Sequence, residues 1–180
     1  EKSHEKEYFW ALQVGEGEVR SAIWVVEDGK TKVAALGSRE SWQGEKESLV
    51  AAADHSLSVA SEEFIGDSGE PSKIVFGLPS SWVEGEKIVS SRQQMLRAVC
   101  EKLGLSPVGF VLTLDAINHH LKNIEGTPPS LILVNPQEEQ VFVSVLDLGE
   151  VKGTEQVRRS QDLAADVYEG LLRFEEIKIL

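Results

Sequence analysis

Cysteine is almost missing from this chain: of 180 residues only Cys100 carries a thiol. One thiol cannot close an internal disulfide, so the sequence neither needs nor suggests an oxidising compartment. No apolar run approaches the roughly 18 residues of a membrane-crossing helix, and no signal peptide is legible. Direct membrane insertion is not expected. The cytoplasm is the default compartment, with tethering to a membrane through other parts of a longer chain left open. Basic charge is scarce as well. Lys and Arg number 18 against 30 Asp and Glu, a formal net charge of −12, and the nearest thing to a basic cluster is the pair Arg158 and Arg159. Nucleic-acid binders displace counterions from phosphates with a Lys/Arg surface. Nucleic acid is therefore not expected as a partner, nor is an anionic membrane surface.

What remains is ordinary globular material, 41% hydrophobic and 27% charged, enough to build a core. Glu1 to Glu7 is almost wholly polar and reads as a disordered leader. Tyr8 to Val14 is a short apolar run that ends in Gly15-Glu16-Gly17, a strand and then a tight turn. Val19 to Glu27 alternates and is rich in β-branched and aromatic residues. Asp28-Gly29 is the strongest hairpin signal in the chain, and Thr31 to Gly37 continues as a third strand. The opening is thus a three-stranded antiparallel meander.

Leu49, Val50, Ala53, Leu57, Ala60 and Phe64 form a helical stripe within Glu45 to Phe64. A turn-rich loop, Gly66 to Pro71, follows. Lys73 to Leu78 is a continuous apolar run, as expected for a strand buried on both faces, and Pro79 to Trp82 ends it. Glu86 to Leu103 reads as a second helix closed by Gly104. Val108 to Leu112 reads as another buried strand. Asp115 to Ile124 reads as a third helix, with Thr113 or Asp115 available as its N-cap. Three strands, then helix, strand, helix, strand, helix is the ribonuclease-H-like order.

After a linker, Gly126 to Pro129, the opening pattern restarts. Ser130 to Asn135 is an apolar run that ends in the turn Pro136-Gln137-Glu138. Val141 to Leu146 alternates, Asp147-Leu148-Gly149 turns, and Glu150 to Val157 is a third strand. A helix over Ser160 to Arg173 would present Leu163, Val167, Leu171 and Leu172 on one face, and Ile177 to Leu180 begins a further strand. The fold class is therefore α/β: a ribonuclease-H-like unit with a mixed sheet over residues 8–125, then the first half of a second such unit over 130–180.

Two ribonuclease-H-like units in tandem characterise the actin-like ATPase superfamily, which this chain resembles from Phe9 onward. The strand Lys73 to Pro79, completed by Ser80, Ser81 and Trp82, is similar to the family strand that closes in a P-x-x-(W/F) turn. Leu96 to Gly104 followed by Leu105 to Leu121 resembles the stretch that leads into the family's second unit. The likeness is strongest to FtsA-type cell-division and PilM-type pilus-assembly proteins. It implies that two β-hairpins would hold nucleotide phosphates, each usually through Asp-x-Gly and small residues. Glycine lets backbone N–H groups approach the phosphates, and the aspartate organises Mg²⁺ and its waters.

Here both hairpins depart from that pattern. In the first, Gln13 stands where the aspartate is expected. Gly15 and Gly17 still permit close approach, but Glu16 and Glu18 bring carboxylates towards anionic phosphates. In the second, the equivalent triplet is Asn135-Pro136-Gln137, or Leu133-Val134-Asn135 if the register moves one step. Neither supplies the aspartate or the glycine, and Pro136 removes a backbone donor. Gln13, Gly15, Gly17, Asn135 and Gln137 are the candidate, degenerate phosphate-loop residues. No catalytic residue, metal ligand or bound cofactor is expected, and Mg·ATP is disfavoured.

Several single residues carry rival readings. His119 and His120 are adjacent on a helix and face different directions, so a shared metal is not expected. Cys100 has no cationic neighbour in sequence and reads as a small packed hydrophobe. Trp10 and Trp24 read as core or sheet-face residues. Trp42 and Trp82 sit at element ends, where an exposed ring would mark an interface; the packed reading is favoured. Ser80 and Ser81 with His119 lack a strained elbow or a placed acid, so they do not make a hydrolase. A two-metal nuclease needs a carboxylate on the first strand, and Tyr8 to Val14 has none. The expectation is a non-catalytic actin-like scaffold acting on a protein partner, with self-association as an option. The rival classes are an ATPase or sugar-kinase-type phosphotransferase, using Asp115 or later sequence, and an interaction module whose open sheet edge pairs with another chain.

Overall fold

The computed structural model describes residues 6–64 and 69–174. They fall into two compact units that divide between Thr113 and Leu114. Ile177 to Leu180, expected to start a further strand, lie outside the described residues, as does part of the loop from Gly66.

The first unit is a five-stranded sheet. Strands β1 (Glu7–Val14), β2 (Glu18–Glu27) and β3 (Lys30–Ser41) form the meander, β4 (Lys73–Leu78) lies beside β1, and β7 (Ser106–Leu112) lies beside β4. β1, β2 and β3 pair antiparallel, whereas β4 runs parallel to β1 and β7 parallel to β4. This mixed order places β1 at the centre, so its end is where chain connections converge. Glu7, read as leader, opens β1, and its carboxylate pairs with Lys73 at 2.6 Å. Asp28 and Gly29 both have positive φ, 53° and 73°. Such a pair makes the primed turn whose twist matches the strands it joins.

Alternation sends Trp10, Leu12, Val14, Val19, Ile23, Ile74, Phe76 and Leu78 to one buried face. Helix α1 (Lys46–Glu63) covers that face over β2 and β3, and α2 (Ser90–Leu103) packs beside it. The buried stripe of α1 is Leu49, Ala52, Ala53, Ser56, Leu57 and Ala60, so small Ala52 and polar Ser56 join the expected face, whose Val50 and Phe64 pack half-buried against the same core. The reason is close approach. A Cβ on Gly37 would lie 2.1 Å from Ser21 Oγ and 2.3 Å from the Ser56 backbone oxygen. Ser56 Oγ lies at 2.9 Å from both the Ser21 N–H and Ser21 Oγ, and donates to the Ser38 carbonyl at 2.7 Å.

Three expected elements differ. Glu86 lies outside α2, in a short hairpin of β5 (Val83–Glu84) and β6 (Lys87–Ile88) that turns at Gly85 with φ 61°. Gly104 caps α2 with φ 65°, as expected. β4 buries only alternate residues, leaving Val75 and Gly77 half-buried. β7 is exposed along most of its length, because it is an edge strand. An apolar run reports that a strand can be buried, not which position in the sheet it takes.

The second unit begins within α3 (Thr113–Glu125), whose first residue is Thr113, one of the two residues read as its cap. β8 (Leu131–Pro136), β9 (Gln140–Asp147) and β10 (Glu150–Arg158) make an antiparallel meander in the order β10-β9-β8. Its β9–β10 turn repeats the positive-φ pair, at Leu148 (49°) and Gly149 (79°). Asn118 Nδ2 donates to the Gly149 carbonyl at 2.6 Å, which ties α3 to that turn. Helix α4 (Leu163–Leu172) starts three residues later than expected, because the Asp162 carboxylate caps it by accepting from Ala164 and Ala165 N–H. Leu163 and Leu172 are exposed. The packed face is Asp166, Val167, Gly170 and Leu171, over a small core of Val141, Val143 and Val157.

Candidate functional site

The two hairpin turns named from the sequence have the same construction. In the first, Gly15 N–H donates to the Glu18 carbonyl at 2.7 Å; in the second, Gln137 N–H donates to the Gln140 carbonyl at 2.8 Å. The residue just after the third strand then closes each turn with its backbone and its side chain. Trp42 N–H reaches the Gly17 carbonyl at 2.9 Å, and its indole N–H reaches the Gly15 carbonyl at 3.0 Å. Arg159 N–H reaches the Glu139 carbonyl at 2.8 Å, and its guanidinium reaches the Gln137 carbonyl at 2.7 Å. Gly15 therefore corresponds to Gln137 and Gln13 to Asn135, which selects the register Asn135-Pro136-Gln137.

Gln13 is exposed near the end of β1, paired with Arg20 on β2 and Gly77 on β4. Asn135 is half-buried opposite Phe142, and Gln137 is buried in its turn. The structure thus brings Gln13, Gly15 and Gly17 together in one hairpin and Asn135 and Gln137 together in another. Each lies in its own unit.

Beside the first turn stands a group that sequence reasoning did not assemble. The Glu16 carboxylate accepts from the Ser81 hydroxyl, from Trp82 Nε1 at 3.2 Å and from Arg92 Nη2 at 3.5 Å. Ser81 and Trp82 belong to a single 3₁₀ turn (Ser80–Trp82) that follows β4, and Arg92 to the first turn of α2. The Arg92 guanidinium stacks over Trp82 with its carbon 4.8 Å from the ring centroid, a favourable cation–π arrangement. Trp82 is fully buried and meets Trp42 edge-on at 6.0 Å and 83°. Both indoles bury their rings and spend their single N–H on this turn. Glu18 points elsewhere and pairs with Arg39 at 3.7 Å.

The other turn is supported by a buried acid. Ser160 N–H donates to Asp166 Oδ2 at 2.8 Å. Hydrogen bonding from Ser160, first through its hydroxyl and then its backbone, holds the Asp166 carboxyl below the usual carboxylate range; the Arg159 charge adds to this, and burial opposes it. Elsewhere, burial raises the Cys100 thiol, with the Glu101 charge acting the same way. Cys100 is a buried small hydrophobe. His119 and His120 are exposed, and among the described residues no three His, Cys, Asp or Glu side chains are placed to share a metal ion. The Ser81 hydroxyl donates to Glu16.

These residues do not fit Mg·ATP held by an Asp-x-Gly hairpin. Gln13 brings no charge to organise a cation, and the Glu16 carboxylate stands beside the turn as a fixed negative charge. The sequence did contain one signal for the turn closure. Trp42 lies 27 residues after Gly15 and Arg159 lies 22 after Gln137, each directly behind a third strand. Aligning the repeat would have paired them. Nothing local marks Arg92, 76 residues from Glu16.

No protein-family model matches this sequence, and no curated protein matches it. Solved structures do. The ethanolamine utilization protein EutJ from Carboxydothermus hydrogenoformans is 14% identical with a TM-score of 0.55, over 86% of this chain and 52% of its own. A ROK hexokinase from Thermus thermophilus is 17% identical with a TM-score of 0.48, over 81% and 48%. A Ppx/GppA family member from Aquifex aeolicus is 11% identical with a TM-score of 0.42, over 85% and 51%. The chain spans about half the length of each of these structures. The EutJ likeness shows fold and not activity. The fold is that of the actin-like ATPases: one ribonuclease-H-like unit with a mixed sheet, then the opening meander and helix of a second.

Proposed function

We propose that this chain is a non-catalytic actin-like scaffold of the FtsA or PilM kind, acting through contacts with a protein partner rather than by phosphoryl transfer. The observation that carries this reading is the first hairpin. A phosphate loop needs backbone donors and a metal-organising carboxylate at the strand end. Here the strand ends in neutral Gln13, and a carboxylate, Glu16, is anchored beside the turn by three donors. That carboxylate takes up the hydroxyl, indole and guanidinium donors beside the turn, so they are not open to a nucleotide phosphate.

A partner role is supported by the exposed edge of the first sheet. Among the described residues β7 is an edge strand with exposed Val108 and Val111, the kind of edge that another strand can extend. Among the described residues no helix is long and apolar enough to cross a membrane. A cytoplasmic location, with tethering through other segments, belongs to this proposal.

Isothermal titration with Mg·ATP, together with a phosphate-release assay, tests the reading. The expected outcome is no sub-millimolar binding and no turnover. Sub-millimolar binding with turnover would sink it and establish a phosphotransfer enzyme instead.

A further inference from the structure

The donors around Glu16 form a set in their own right. Ser81 Oγ and Trp82 Nε1 both reach Oε1, while the Arg92 guanidinium approaches Oε2. They come from two elements outside the hairpin, so the carboxylate bridges it to the 3₁₀ turn and to α2. Two members of the set are pre-organised. Trp82 is fixed by complete burial and by Trp42, and Arg92 is fixed by stacking on Trp82. One hydroxyl, one indole N–H and one guanidinium converging on one point are what recognises an oxyanion. Glu16 and Arg92 side chains are 21% and 30% exposed, so the site opens to solvent and is not sealed in the core.

We propose that Ser81, Trp82 and Arg92 form an oxyanion site whose resident ligand is the protein's own Glu16 carboxylate, which keeps free carboxylate and phosphate ions out. The side chain is covalently delivered, so its effective concentration at the donors far exceeds that of a dissolved anion. A free anion gains the site only when Glu16 is neutralised or withdrawn. This inference rests on the proposed function in one respect alone: it takes the hairpin as one that does not grip a nucleotide.

The test uses the intact chain and inorganic phosphate, titrated at constant ionic strength and followed by tryptophan fluorescence and calorimetry. Glu16→Ala is expected to bind phosphate at least tenfold more tightly than the natural sequence. Adding Arg92→Met to Glu16→Ala is expected to return the affinity to the starting level. Glu16→Gln, which keeps the side chain's shape, provides a folded comparison if the alanine variant melts too low; it is expected to gain about threefold. Affinities unchanged in both single variants would overturn the proposal, as would a gain that survives Arg92→Met. Unchanged affinities would leave the scaffold reading standing, whereas Mg·ATP turnover by the natural chain would remove that reading and leave the oxyanion site to be judged on its own titration.

Discussion

The first hairpin is closed by two buried indoles and a carboxylate, the second by one arginine backed by a buried aspartate. The two units otherwise share the meander, the positive-φ turn between their second and third strands, and a helix laid against the sheet. The difference follows from how much core stands behind each turn. Among the described residues, nineteen buried hydrophobics cluster in the first unit and three in the second. A large core can bury a whole tryptophan and use its N–H. A small one cannot, and a long, snorkelling arginine reaches the same carbonyl from the surface. One geometric task is therefore met by different chemistry in two copies of a motif.

Two substitution pairs and one single substitution would break or sharpen this comparison. The largest effect is expected where helix meets sheet. Gly37→Ala forces a Cβ against Ser21 and the Ser56 backbone, and backbone cannot step aside, so a loss of about 3 kcal/mol is expected in denaturant unfolding. Gly170→Ala meets a Val143 methyl at 2.7 Å. It also gains about 1 kcal/mol of helix propensity, so its net loss should be nearer 1 kcal/mol. Equal net losses would show that the Gly170 contact is the more unyielding of the two, because its clash would also have to cancel the propensity gain.

Next come the closing residues. Trp42→Phe removes the hydrogen bond to the Gly15 carbonyl along with part of a buried ring, an expected cost of about 2 kcal/mol. Arg159→Met removes the bond to the Gln137 carbonyl from an exposed site, an expected cost of about 1 kcal/mol. Amide exchange separates closure from packing. Each variant should speed exchange at its own turn, Gly15 N–H or Gln137 N–H, and leave the other turn unchanged. Exchange unaffected at the mutated turn would mean that the residue packs without holding it.

The smallest effect is a pH dependence. The folded carboxyl of Asp166 is held below its ordinary range, so it stabilises the second unit above about pH 4. That stabilisation is lost as the pH falls through the lowered folded value. Asp166→Asn should melt lower at neutral pH and lose less on acidification. Parallel melting curves for the two proteins down to acid pH would remove Asp166 from the support of its turn.

The sequence by itself determined the order of the main elements, though not the short β5–β6 hairpin, and the turns of the two meanders, because alternation and turn residues are local codes. It also determined that neither Gln13 nor Asn135 is an aspartate, since that is a matter of identity, whereas the matching of Asn135 to Gln13 came from the way the two turns are closed. Tertiary structure alone decided which strands lie at the edge, so β7 is exposed although its residues read as buried. Tertiary structure also decided the surroundings of Glu16. Its partners Ser81, Trp82 and Arg92 lie 65 to 76 residues away, beyond any local pattern. They meet because β4 lies parallel beside β1 and delivers the 3₁₀ turn and α2 to the same end of the sheet.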